Sequence, residues 1–214
     1  MIRYEPRFRA FAMCLSALAG FVDAAGFVLT GGLFVSFMSG NSTRLAVAAA
    51  AGSNIALLAA ALVTLFLVGV ICGALLAPLK PSRQKTVVLA FSTGMLVVSA
   101  AMSACNTSVV ASMMLALAMG SLNNVFLREG EVSIGVTYMT GTLVRAGQRI
   151  AGALRGEGPS DWLPYFFLWV SLVCGAVLGA GIAAIDLSLC IALAATFSIA
   201  MNLFAYRLET ARQR

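Results

Sequence analysis

Phe37-Met38-Ser39-Gly40-Asn41-Ser42-Thr43-Arg44 and Tyr138-Met139-Thr140-Gly141-Thr142-Leu143-Val144-Arg145 are the two stretches whose comparison decides the fold. Both read aromatic, Met, hydroxyl, Gly, polar, two further residues, Arg; from 37 to 138 the offset is 101 residues. A single Met-hydroxyl-Gly match would carry no weight. Two more matches keep the same order. Upstream, Gly20-Phe21-Val22-Asp23 matches Gly120-Ser121-Leu122-Asn123 at an offset of 100; downstream, Cys72-Gly73-Ala74 matches Cys174-Gly175-Ala176 at an offset of 102. The chain therefore reads as two halves of one membrane domain, about 1–104 and 105–214.

Composition says what the halves are made of. The 214 residues include 14 Lys or Arg and eight Asp or Glu, 10% of the chain, against roughly 25% in soluble proteins. Hydrophobic residues make up 61% and mean hydropathy is +0.97. These values exclude a soluble domain, a disordered chain and a disulfide-stapled secreted domain. A membrane helix needs about 20 apolar residues. Residues 45–79, 86–127, 162–185 and 187–206 carry no charge, and 10–43 carry only Asp23. Helices are predicted at about 10–30, 54–78, 86–104, 108–127, 162–184 and 187–206. Two shorter segments, about 40–52 and 141–155, begin with the small polar residues that favour helix N-caps. At about 1.5 Å per residue they are too short to cross a core of about 30 Å. The predicted fold class is all-α: a polytopic membrane protein with about six transmembrane helices plus two re-entrant half-helices in a 3+3 inverted repeat.

Charge placement gives the orientation. Arg3, Arg7 and Arg9 precede the first helix, and Lys80, Arg83 and Lys85 lie between the run at 54–78 and the next. Arg128, Arg145, Arg149 and Arg155 surround the second short segment, and Arg207, Arg212 and Arg214 follow the last helix. The turns near Asn106 and Asp186 have no Lys or Arg; only Arg44 falls on the opposite side. The positive-inside rule then predicts six crossings with both termini cytoplasmic, in a bacterial inner membrane. Three crossings per half is an odd number, so the second half enters the membrane inverted, a common build for secondary transporters. The basic N-terminus before Ala10–Val22 has the look of a signal peptide. The apolar run continues past Asp23 and everything after it is membrane, so an uncleaved first helix is expected.

Ala19-Gly20-Phe21-Val22-Asp23-Ala24 followed by Met38-Ser39-Gly40-Asn41 resembles the YoaK-like bacterial membrane proteins (domain of unknown function 1275), whose first half shows A-G-x-x-D-A and then M-T-G-N. Their second half shows G-x-x-N and then T-G, similar to Gly120 to Asn123 and Thr140-Gly141. Ser39 stands where the family has Thr and keeps the hydroxyl. The resemblance covers nearly the whole chain. It implies an inner-membrane protein of about six helices and supplies no activity.

Asp23 is the first candidate for chemistry. A carboxylate in a membrane span costs roughly 2.5–3.5 kcal/mol on insertion scales, so such residues are functional hypotheses by default. Asp23 is read as an ion-coupling or substrate-binding residue, the alternative being a structural partner of Arg44 or Arg145, or a polar contact that holds the half-helix. Asn123 and Asn124 occupy the equivalent place in the second half. The half-helix N-termini offer free N–H groups and the positive ends of helix dipoles. Ser39, Gly40, Asn41, Arg44, Thr140, Gly141, Thr142 and Arg145 complete the predicted substrate-binding set, suited to an anion or polar group. Capping two buried helix ends is the competing account of the same residues.

Histidine is absent, as are a GxSxG elbow, a Walker loop and a close carboxylate pair within one segment. Glu129 and Glu131 beside Arg128 read as a solvated cluster. No enzyme activity, cofactor, metal or nucleic-acid partner is expected. The five cysteines form no CxxC pair and read as apolar packing residues. Gly69-x-x-x-Gly73 and Ser171-x-x-x-Gly175-x-x-x-Gly179 are small-xxx-small patterns that allow close helix packing, within the chain or across a homodimer. The expected function is a gradient-driven transporter or channel for a small polar solute, an anion among the candidates, in contact with membrane lipids. The alternative is a non-transporting scaffold or sensor that binds a lipid or protein partner.

Overall fold

The computed structural model describes residues 5–128, 130–156 and 161–213. Arg3, Glu129 and Arg214, and the side chains of Arg128 and Arg212, lie outside the described residues. Eight α-helices follow one another: α1 Pro6–Thr30, α2 Met38–Ala50, α3 Ile55–Leu76, α4 Gln84–Ala104, α5 Ser108–Leu122, α6 Met139–Leu154, α7 Leu163–Ala183 and α8 Leu187–Gln213. Six helical stretches are long and apolar enough to cross a membrane: Pro6–Thr30, Ile55–Leu79, Pro81–Ala104, Ser108–Phe126, Leu163–Ala183 and Leu187–Ala211. The all-α polytopic expectation holds. α2 and α6, with 13 and 16 residues, measure only about 20 and 24 Å at 1.5 Å per residue. The only strands among the described residues are a two-residue antiparallel hairpin, β1 Leu127–Arg128 and β2 Glu131–Val132, between α5 and α6.

Small residues set the helix pairing. α1 packs mainly on α7, and α3 on α5. A Cβ at Gly20 would overlap Leu172 O, one at Gly175 would overlap Ala17 O, and one at Gly179 would overlap Phe21 O. In the other pair, a Cβ at Gly120 would overlap Phe66 O and one at Gly69 would overlap Leu117 O; at Gly73 it would come within 3.0 Å of Ser121 O. Both pairs run parallel: the contacting numbers rise together from Ser16–Leu168 to Phe21–Gly179 in one and from Gly120–Phe66 to Asn124–Val70 in the other. Backbone-to-backbone approach of this kind is what small residues give in membrane helices.

The two sets of contacts mirror each other, but in a register the sequence match does not give. Positions 17, 20 and 21 correspond to 117, 120 and 121, while 66, 69 and 73 correspond to 172, 175 and 179, an offset of 106. The Cys72-Gly73-Ala74 and Cys174-Gly175-Ala176 match is therefore one helical turn out of step. Gly73 corresponds to Gly179, and Gly69 to Gly175. The extra residues enter both within the short helix and after it, since α6 is three residues longer than α2, and α2 and α3 are separated by four residues but α6 and α7 by eight.

α4 and α8 form an antiparallel pair that links the two parallel ones, α4 packing on α5 and α8 on α1; hydroxyl contacts between Thr93 and Ser198 at 2.7 Å and between Ser103 and Ser188 at 3.1 Å join it. At the start of α4, buried Glu209 accepts hydrogen bonds from Lys85 N (2.8 Å), Thr86 N (3.2 Å) and Thr86 Oγ1 (2.6 Å). The two backbone donors are N–H groups that a helix leaves without internal partners. Glu209→Ala leaves them unsatisfied, at about 1–3 kcal/mol each. A fall in the thermal midpoint, with Glu209→Gln retaining most of it, is the expected result of a detergent melting experiment; an unchanged alanine variant would refute this capping role.

Phe11, Leu15, Leu89, Leu96, Leu115, Met119, Leu122 and Phe126 fill the centre, the rings of Phe11 and Phe126 lying 5.8 Å apart. Outward faces are also apolar. Leu57, Leu75, Val177, Leu178 and Ile185 are all more than 60% exposed. Apolar surface on this scale marks a membrane-facing protein rather than a water-soluble one.

Candidate functional site

α1 ends because Gly31 and Gly32 take positive φ (+68° and +124°), conformations that glycine adopts without strain. The chain then turns back along α1. Thr30 Oγ1 accepts from Leu33 N at 2.9 Å, Val35 packs on Gly26, and Val35 N and Ser36 N both donate to Asp23 Oδ1 at 2.8 Å. α2 thus starts beside Asp23, seven residues or about 10 Å back from the end of α1. The Asp23 carboxylate lies at the N-terminus of this helix, where the dipole and the free N–H groups favour negative charge. Asn41, one turn into α2, is fully buried and clasps the same segment, its Oδ1 accepting from Phe34 N (2.8 Å) and its Nδ2 donating to Phe34 O.

The second half repeats the arrangement with a neutral residue. Ser133 N donates to Phe126 O at 3.0 Å as the chain leaves the hairpin. Asn123 Oδ1 accepts from Thr137 Oγ1 at 3.0 Å and from Thr137 N at 3.4 Å, and α6 begins two residues on. Thr142, at the place of Asn41, is buried and donates to Tyr138 O. Asn124 donates to Val70 O at 3.0 Å, tying this end of α5 to α3.

Of the predicted set, Asp23, Asn41, Asn123, Asn124 and Thr142 are buried or partly buried and hydrogen-bonded to the backbone. Ser39, Arg44, Thr140, Gly141 and Arg145 are exposed, and Gly40 is partly covered by the Phe37 ring. Asp23 has no Lys or Arg partner among the described residues. Arg44 lies instead over two rings, its guanidinium carbon 5.6 Å from the Phe27 centroid and 5.8 Å from that of Phe34.

Beside Asp23 an open groove of about 530 Å³ runs between α1 and α7, lined by Asp23, Phe27, Phe34 and small residues including Gly20, Ala24 and Ala176. Sequence reasoning missed Ser36 and Thr137, the residues that meet Asp23 and Asn123. A signal was available, because they are equivalent hydroxyls directly before the paired aromatics Phe37 and Tyr138. It also missed Ser16, buried within 3.1 Å of Leu168 O and 3.3 Å of Val136 O, which joins α1, α7 and the segment before α6. No local pattern marks that residue.

Six apolar crossing helices and outward apolar faces define a polytopic integral membrane protein. The chain belongs to the family described as "Protein of unknown function (DUF1275)", which matches residues 11–204. It is also similar to the UPF0700 transmembrane protein RA0705 of Rhizobium meliloti (strain 1021), with 30% identity over 171 residues, covering 80% of this chain and 74% of that protein. No solved structure matches.

Proposed function

We propose that the protein is a gradient-driven transporter or channel for a small solute, with both termini cytoplasmic in a bacterial inner membrane. Its two halves are an inverted repeat, and α2 and α6 re-enter the membrane from opposite sides. One observation carries the reading: twice, beside Asp23 and beside Asn123, the chain turns back along a long apolar helix and starts a short one. Broken helices at equivalent places in two halves are the usual location of a transporter's site. The mirrored glycine contacts of α1–α7 and α3–α5 support the pseudo-symmetry. Asp23 is the coupling residue, an ionisable group that has no cationic partner among the described residues and lies beside a groove. Solute passes along this groove as the halves rock, and no catalytic step is involved.

The test is a current measurement on proteoliposomes challenged with amines, amino acids, carboxylates and phosphate under a pH gradient. A wild-type current above that of empty liposomes, reduced at least about tenfold in Asp23→Asn, is expected for loss of an essential coupling group. No current with any solute class removes the transport reading. A scaffold or sensor that binds a lipid or protein partner is the second reading. It is favoured by the backbone hydrogen bonds that occupy Asn41, Asn124 and Thr142.

A further inference from the structure

We propose that the groove between α1 and α7 binds an apolar organic cation, with Asp23 as its counter-charge and Phe27 and Phe34 as its ring platform. The inference names the solute class for the site above and rests on the transport reading only for movement of that solute, not for its binding.

Three observations converge on this class. The groove volume, about 530 Å³, falls in the range of pockets that hold drug-sized molecules. Its walls are apolar, built from Gly20 and Ala24 on α1 facing Leu172, Ala176 and Ala180 on α7. Such walls exclude a strongly hydrated ion and accept an apolar body. Asp23 puts a carboxylate on this groove with no Lys or Arg in salt-bridge contact with it among the described residues. Two backbone N–H groups and the α2 terminus stabilise that charge but do not neutralise it. Finally, the rings of Phe27 and Phe34, centroids 5.0 Å apart, already hold a cation, the Arg44 guanidinium, within 6 Å of both. Ring faces at that distance attract Lys, Arg or a ligand cation alike. Arg44 belongs to an exposed stretch of α2, so a ligand can displace it.

Opposite effects are therefore expected at two residues. Asp23→Asn removes the counter-charge while keeping the oxygen that accepts Val35 N and Ser36 N, as Asn123 does for Thr137. Arg44→Gln, on the surface, removes a competitor for the rings and a repelling charge. The probe is tetraphenylphosphonium, measured by equilibrium dialysis against the full-length protein in a nonionic detergent. Tetraphenylborate, of the same shape and opposite charge, is the control. Expected results are saturable binding of the phosphonium to wild type, a loss of at least about tenfold in Asp23→Asn, as for a charge pair held out of water, and a gain of several-fold in Arg44→Gln. Tetraphenylborate binds more weakly to wild type and does not lose affinity in Asp23→Asn. Equal binding of both probes, or unchanged phosphonium binding in Asp23→Asn, overturns the proposal, because the groove then takes any apolar molecule. Weaker phosphonium binding in Arg44→Gln overturns it as well, independently of how Asp23→Asn folds. Asp23-dependent binding without flux in proteoliposomes leaves the cation site standing and removes transport. Solute currents in a protein that binds no phosphonium do the reverse.

Discussion

Asp23→Ala is expected to melt far below the wild type, on the order of 5–15 °C lower, while Asp23→Asn stays within a few degrees of it. The alanine variant deprives Val35 N and Ser36 N of their acceptor. Val35 is fully buried and Ser36 nearly so, and a buried N–H without a partner costs about 1–3 kcal/mol. For a chain of this length each kcal/mol lowers the melting point by about 2–4 °C. Asparagine retains the oxygen. The second half of the same molecule uses Asn123 against Thr137 in the equivalent contact, so the amide is compatible with the geometry. Melting curves of the three proteins in one detergent measure this directly. An alanine variant as stable as wild type would mean that the start of α2 is held by Asn41 and the Val35–Gly26 packing alone. The pair of substitutions also separates two roles. A function lost in both variants depends on the charge, and a function lost only in alanine depends on the fold.

Gly20→Leu and Gly120→Leu are expected to be the most disruptive single substitutions outside that site, and to be so to a similar extent. Each would drive a side chain into a backbone carbonyl of the facing helix, Leu172 O for Gly20 and Phe66 O for Gly120. A flexible neighbour can move aside, whereas a backbone carbonyl moves only with its helix. Overpacking in a rigid interior costs about 1–3 kcal/mol and sometimes more. Here the parallel pairs α1–α7 and α3–α5 must separate along their length. Loss of the monodisperse peak in detergent chromatography is the expected readout for both. Gly147→Ala is the control. It lies in α6 with nothing within 4 Å of the added Cβ, and a gain of up to about 1 kcal/mol follows from helix propensity. If only one of the two leucine variants were disruptive, the two contacts would not be equivalent, and the mirrored architecture would lose its energetic basis.

Phe37 to Arg44 and Tyr138 to Arg145 were sufficient to find the two short helices, because a break in a membrane helix needs local chemistry. The expected capping by those residues is not what holds the helix starts: neither Phe37 nor Tyr138 has a side-chain cap, Ser42 and Thr43 donate back to Met38 O and Ser39 O, and the acceptors are Asp23 and Asn123 on the preceding helices. Asp23 stood out as a charge in a run that otherwise has none. Whether Asp23 pairs with Arg44 or Arg145, the alternative to a binding role, was not legible. Arg44 lies over Phe27 and Phe34, and nothing in the spacing of 23 and 44 distinguishes a carboxylate from a ring face as its partner. Ser16 and Glu209 were invisible. Each acts on residues more than 100 positions away, and a serine in an apolar run or a glutamate near a terminus looks ordinary until its partner is known.

Hydropathy alone determined the class of protein and the six long helices, because lipid imposes the same requirement on every residue of a span and leaves a signal in each. Only the tertiary structure decided the register of the halves. The Cys-Gly-Ala match suggested an offset of 102, but close approach of backbones selects the small residues that face a partner, and those are Gly69 with Gly175 and Gly73 with Gly179. Identity of residues along a helix and identity of the face it presents are different properties, and a shift of one turn preserves the face while breaking the alignment. The groove between α1 and α7 is likewise a property of the packed pair. Gly20 and Ala24 on one helix meet Ala176 and Ala180 on the other only after the chain has folded, and that meeting opens the space in which Asp23 can act.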